Sequence, residues 1–186
     1  MNTKKNQRFQ ETEKLIQQTL LELAKEKDIR QVTVRAICEK AQINRSSFYL
    51  HYLDIHDLVD KMGKEMMQDI REMLHTEQNA ISFMLTESSL TDMITYVEKH
   101  QLFFDIYLNH YTSEANETFS LLWEHHGKSY LQEHFTNIDE SEMWYHFSFY
   151  KAGFLSVLSQ WVKNGCVEEP EKIAKLIIRS IPKYNF

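Results

Sequence analysis

The stretch Thr33 to Tyr52, TVRAICEKAQINRSSFYLHY, constrains this chain more than any other. It reads as two short helices with a tight turn between them. Thr33 is a good N-cap, because its hydroxyl can accept a free backbone N–H. The apolar spacing predicts a helix from Val34 to Ala41 that buries Ile37, Cys38 and Ala41. Gln42-Ile43 makes the turn. Asn44 then caps a second helix, Arg45 to about His51, which buries Phe48 and Tyr52. That helix is about two turns long and cannot form a core of its own. Its other side is polar, with Arg45, Ser46, Ser47 and Tyr49. A short helix that displays a hydrogen-bonding face suits insertion into the major groove of DNA.

Chain breakers are scarce: only four Gly and two Pro occur in 186 residues. Long helices with brief turns are expected, and no segment sustains period-2 alternation. Residues 1–8 read as a polar, basic arm. A helix of about four turns follows, turning Leu15, Ile16, Leu20, Leu23 and Ala24 inward. Asp54 starts a longer helix to about His75, with Asp54 and Asp57 at capping-box spacing. Distal helices are expected over Asp92–Lys99, Gln101–Asn109, Ala115–Phe135, Ser141–Asn164 and Glu171–Ile181. Asn164-Gly165 stops the fourth of these, since a residue at positive φ ends a helix. Pro170 suits the first turn of the last. The expected fold class is all-α. An N-terminal three-helix DNA-binding domain covers residues 9–69, with its helix-turn-helix at about 32–51. A long fourth helix joins it to a C-terminal helical domain, residues 70–186.

The net charge of −6 argues at first against a nucleic-acid partner. Its distribution softens that objection. Residues 1–60 hold ten Lys/Arg and nine Asp/Glu, a balance of +1, whereas residues 61–186 hold eleven and eighteen, a balance of −7. The acidic excess lies outside the candidate reader. Phosphate would repel the distal part and favour one docking orientation.

Other function classes find little support. No Gly-rich phosphate loop, G-x-S-x-G, H-E-x-x-H or paired-carboxylate motif appears, so an enzyme is not expected. His125-His126 with Glu133-His134 does not make a metal site, because adjacent helical residues diverge by about 100°; no metal or other cofactor is expected. Two cysteines, Cys38 and Cys166, are too few for a disulfide framework. Reduced thiols and a cytoplasmic location follow. No apolar run is long enough for a membrane span, and MNTKKNQRFQETEK lacks the apolar core of a secretory signal.

Over residues 9–62 the chain resembles the TetR/AcrR family of bacterial transcriptional regulators. The resemblance rests on the helix before TVRAIC, on EKAQINRSSFYLHY and on DIHDLVDKM. The family segment usually reads T-x-x-x-I-a-x-x-A-G-V-S-x-x-x-[FL]-Y-x-H-F. Thr33, Ile37, Ala41, Ile43, Phe48, Tyr49 and His51 fall into those places. Gln42 stands where glycine is common, and Ile55 where many members carry a phosphate-binding lysine. YVEKHQLFFDIYL and FYKAGFLSVLSQWVKNGCVEEPEKIAKLI resemble the C-terminal region of a Firmicutes subgroup of the family. The resemblance implies a repressor that acts as a homodimer through its last two helices and is released from DNA by a small ligand. It assigns ligand binding and dimerisation to the C-terminal helical domain, residues 70–186.

Site residues follow from both lines. Arg45, at the start of the second helix, is placed to read a guanine edge or, alternatively, to clamp a phosphate. Ser46 and Ser47 let the backbone approach closely. Tyr49 and His51 are placed to bond phosphate. Thr33, Val34, Arg35 and Asn44 sit at helix starts, where free N–H groups face phosphate. The distal aromatics pack a core, and Phe103, Tyr107, Trp123, Phe147 and Tyr150 are candidates to line a pocket for a small hydrophobic effector. Ala152, Ser156 and Ser159, with Ile173, Leu176 and Ile177, are candidates for a four-helix dimer interface. The expected partner is a double-stranded, pseudo-palindromic operator. The alternatives are an activator or regulator controlled by a partner protein, and a helical interaction adaptor without DNA binding.

Overall fold

The computed structural model describes residues 3–75, 86–120 and 139–180. Every regular element among them is helical. In chain order they are α1 (Thr3–Glu26), a 3-10 turn (Ile29–Gln31), α2 (Val34–Lys40), α3 (Arg45–Tyr49) and α4 (Ile55–His75). There follow α5 (Glu87–Lys99), α6 (Gln101–His110), α7 (residues 112–120), α8 (Glu140–Lys163) and α9 (Pro170–Arg179). The chain divides into two compact units, residues 1–64 and 65–186, and α4 is continuous through that boundary.

In the first unit, Ile16, Leu20, Ile37, Phe48, Leu58 and Val59 are wholly buried, and Tyr52 nearly so. They bring α1, α2, α3 and the start of α4 onto one core. Two expectations change here. The basic arm is not separate from α1, which begins at Thr3, because nothing in TKKNQRFQ breaks a helix. Leu15 is 39% exposed, so the buried stripe of α1 is narrower than its apolar spacing suggests.

The caps explain the helix boundaries. Thr33 Oγ1 accepts from the Ala36 N–H, and Asn44 Oδ1 from the Ser47 N–H at 2.6 Å. At α4 the Asp57 N–H donates to Asp54 at 2.8 Å. Asp57 in turn accepts from the N–H of Leu53, one residue earlier than the usual box.

α2 ends in a Schellman turn. The Ile43 N–H reaches the Cys38 carbonyl at 3.0 Å, and the Gln42 N–H the Glu39 carbonyl. That geometry sets Gln42 at φ +54°, where a side chain crowds the backbone. Gln42→Gly is therefore expected to stabilise the first unit by about 1 kcal/mol, with the glycine's extra unfolded-state entropy offsetting part of the gain. A rise in its thermal midpoint checks this. Gly165 plays the same part at the end of α8, at φ +87°.

In the second unit α5 packs on α9, and α6 on α8. Leu90, Met93, Ile94 and Val97 of α5 are buried, as are Ile173, Ala174 and Ile177 of α9. α5 starts five residues before the sequence expectation because Thr86 caps it, accepting from the Ser89 N–H. Side-chain bonds also tie α6 to α8. Gln101 donates to the Val162 carbonyl at 3.1 Å, and Ser159 to Asn109 at 2.7 Å. No helix among the described residues is long and apolar enough to cross a membrane.

Candidate nucleic-acid interface

The geometry of α3 follows from its two faces. Phe48 is wholly buried and Tyr52 is 1% exposed, which pins the inward side. Arg45, Ser46, Tyr49 and Leu50 are left exposed, and Ser47 is half-buried. Tyr49, 55% exposed, lies edge-on to the Phe48 ring at 5.6 Å, so the core steadies its ring while its hydroxyl stays in solvent. Asn44, exposed, spends its side-chain oxygen on the cap.

The two arginines differ. Arg45 has no ion pair among the described residues, so its guanidinium is available to a base edge. Arg35 is bonded through Nε to Glu39 at 2.6 Å, one turn on, which offsets its charge toward a phosphate. Thr33 is exposed and Val34 half-buried at the start of α2. Lys40 faces the other way, bonding Glu26 of α1 at 2.7 Å, so it fastens α2 rather than serving the surface.

His51 is the one expected contact that the structure turns inward. Only 8% of it is exposed, and its ring lies 3.9 Å from that of Phe9. α3 ends at Tyr49, two residues earlier than expected, with Leu50 still in right-handed helical geometry as its C-cap, and the His51 ring packs on Phe9 of α1. In its stead Leu50 (74% exposed) and Leu53 (77%) extend the outer surface of this segment. Sequence reasoning missed both. The available signal for Leu50 was its place four residues after Ser46, on the side of α3 that carries exposed residues; Leu53 lies beyond α3, where helical spacing gives none.

The candidates in the second unit separate into three groups. Phe103 and Tyr107 are buried and stacked at 5.3 Å on α6, and Phe147 is buried on α8. The Tyr107 hydroxyl bonds Thr118 at 2.9 Å. Tyr150 has a buried hydroxyl with no hydrogen-bond partner among the described residues, and burial pushes its pKa well up. Trp123 lies outside the described residues, as do the histidines at 125, 126 and 134.

For the dimer candidates, Ala152 and Ser156 are exposed on α8, beside Tyr145 (78% exposed) and Phe149 (76%). Leu176 is 47% exposed. Ile173 and Ile177 are corrections. The two isoleucines are buried against α5 within the chain, and Ser159 is bonded to Asn109. Burial pushes both thiols up, Cys166 to about 11, away from nucleophilic use.

A capped, outward-facing α3 on a helical N-terminal unit, with a separate helical C-terminal unit, defines a helix-turn-helix regulator. A family model described as bacterial regulatory proteins, tetR family, matches residues 16–62. Another, a TetR-type model described as a transcriptional regulator C-terminal region, matches residues 85–183, more than half of the chain. The chain belongs to the TetR family of bacterial transcriptional regulators.

A relative from Bacillus subtilis (strain 168), the uncharacterized HTH-type transcriptional regulator YxbF, is 25% identical over 97 residues. That match covers 50% of this chain and 26% of the relative, so the chain spans about a quarter of its length. Two solved structures share the fold. A TetR transcriptional regulator from Streptococcus agalactiae 2603V is 21% identical with a TM-score of 0.66, covering 96% of this chain and 98% of its own. A TetR-family regulator from Syntrophomonas wolfei strain Goettingen is 12% identical with a TM-score of 0.69, covering 91% and 92%.

Proposed function

We propose that this chain is a cytoplasmic, homodimeric, sequence-specific repressor that acts without catalysis. Its operator is a pseudo-palindrome, with the two α3 helices in successive major grooves about 34–36 Å apart. The observation that carries the reading is the outer face of α3: Arg45, Ser46 and Tyr49 exposed together above a buried Phe48. Arg45 reads a base edge. Ser46, Ser47 and Tyr49, with Thr33, Val34, Arg35 and Asn44, approach the backbone. Leu50 joins them as an apolar contact, of the kind a thymine methyl group accepts. Retardation of duplex DNA at low and high salt tests this. Retention at low salt with a steep loss at high salt is the expected result. No retention at either salt would leave the adaptor reading in its place.

The exposed side of α8 supports pairing with a second copy. Phe149, Ala152 and Ser156 lie on one side of the helix, with aromatic area beside small residues that admit close approach. Phe149→Asp is expected to raise the dimer dissociation constant by about thirtyfold or more, as for a central aromatic anchor. Sedimentation equilibrium checks it, and an unchanged constant counts against this face.

For regulation, a small hydrophobic effector held in the second unit shifts the population between DNA-competent and incompetent states of the dimer. α4, continuous across the boundary between the units, is the carrier. An effector that binds both states equally changes nothing. The buried Tyr150 hydroxyl, with no hydrogen-bond partner among the described residues, supports a donor there for a ligand oxygen.

A further inference from the structure

The segment that ends α3 is held from two other helices. On the α1 side, Phe9 lies against the His51 imidazole with ring centroids 3.9 Å apart and planes tilted by 31°. Gln17 donates to the Tyr52 hydroxyl at 3.2 Å. On the α4 side, the Lys61 ammonium donates to the His51 carbonyl at 2.9 Å and to Asp57 at 3.0 Å. It also sits 5.3 Å over the Tyr52 ring. Two consecutive residues, His51 and Tyr52, thus fix where a five-residue helix points.

A plain aromatic ring would fill the place against Phe9. The imidazole does something a phenyl ring cannot. Its Nδ1 is buried, has no hydrogen-bond partner among the described residues, and lies 3.9 Å from Glu13 Oε1. A charge-assisted bond between those atoms would close to about 2.8 Å. Closing that gap takes roughly 1 Å of movement between the packed His51 ring and the partly exposed Glu13 side chain.

We propose that His51 is a proton-responsive positioning residue for the DNA-reading helix. The neutral ring seats the end of α3 against Phe9, and protonation pulls the ring toward Glu13, disturbs that seat and weakens duplex binding. The inference rests on the reading of α3 as the DNA reader.

The charged groups around the ring come from both packed elements. α1 offers Glu13, and α4 offers Lys61, itself bonded to Asp57. Burial is the main force holding His51 below the ordinary histidine range; Glu13 works against it and Lys61 with it. The sign follows. Above about pH 6.5, the ordinary histidine value, the ring is neutral in both folded and unfolded chains and the seat is whole. As pH falls below that, the unfolded chain takes the proton first. The contribution declines, and it is lost once pH has dropped through the lowered folded value.

The experiment compares the full wild-type chain with His51→Phe, from pH 8 to 5.5 at constant ionic strength. The probe is a labelled duplex selected by the wild-type protein. Between pH 7.5 and 5.5 the wild type is expected to lose affinity about two- to threefold more than His51→Phe does, because a ring held below the ordinary histidine value is only partly protonated at the lower pH. Parallel profiles overturn the proposal alone. Failure of the wild type to retain any duplex at pH 7.5 overturns the DNA reading and the proposal with it.

Nuclear magnetic resonance of the DNA-free wild type gives a second measurement that needs no variant. The Arg45 to Tyr49 amides are expected to shift with the midpoint of the His51 ring. A ring that titrates while those amides stay still also overturns the proposal.

Discussion

Phe48→Ala is expected to destabilise the first unit by about 3–5 kcal/mol, the usual cost of emptying a buried phenylalanine site. Phe48 is wholly buried, with the Tyr49 and Tyr52 rings 5.6 and 5.9 Å away. Its backbone is also central: its N–H donates to the Asn44 carbonyl, and its carbonyl accepts from His51 and Tyr52. A unit of this size holds only about 0.05–0.15 kcal/mol per residue, so the loss is comparable with its whole stability. Thermal unfolding followed by circular dichroism should show the first unit melting early, with the α5–α9 and α6–α8 packing retained. Duplex retention should vanish with it. An unchanged midpoint would mean that α3 is not held by this side chain.

Arg45→Ala is the second large effect, and it acts on recognition with the fold intact. Arg45 is exposed at the first position of α3, and no buried contact depends on it. Its loss is expected to weaken binding by about 1–3 kcal/mol at a guanine-bearing site and to relax the preference at that base pair. Competition between duplexes that differ at single base pairs measures both. A loss equal across all duplexes, with a shallower salt dependence, would make Arg45 a phosphate contact. Unchanged affinity and preference would remove it from the interface. Arg35 offers a contrast, since it is already bonded to Glu39 and its loss should be felt less.

Legibility in the sequence tracked the range of the interactions involved. Thr33, Asn44, Asp54 and Gly165 were readable as caps and stops because their chemistry is completed within three or four residues. Phe48 and Tyr52 were readable as buried because helical spacing sets the face. His51 was not, because its direction depends on Phe9, forty-two residues earlier and on another helix. Ile173 and Ile177 failed for a related reason. An apolar face looks the same in sequence whether α5 of the same chain or a second copy covers it. Leu50 and Leu53 were missed because exposure of a leucine is a property of the packed unit. At Gln42 both levels agreed: the family's glycine pointed to a positive φ, and the structure has one.

In the proposed function, two copies of α3 read a symmetric operator. The most direct test is selection of bound duplexes from a random pool by the full-length chain at pH 7.5 and moderate salt. The expected result is enriched duplexes that carry an inverted repeat, half-sites one helical turn apart, with guanine at a matched position that Arg45→Ala no longer enforces. A pool that stays random through successive rounds, or an enriched motif with a single unrepeated half-site, would contradict it.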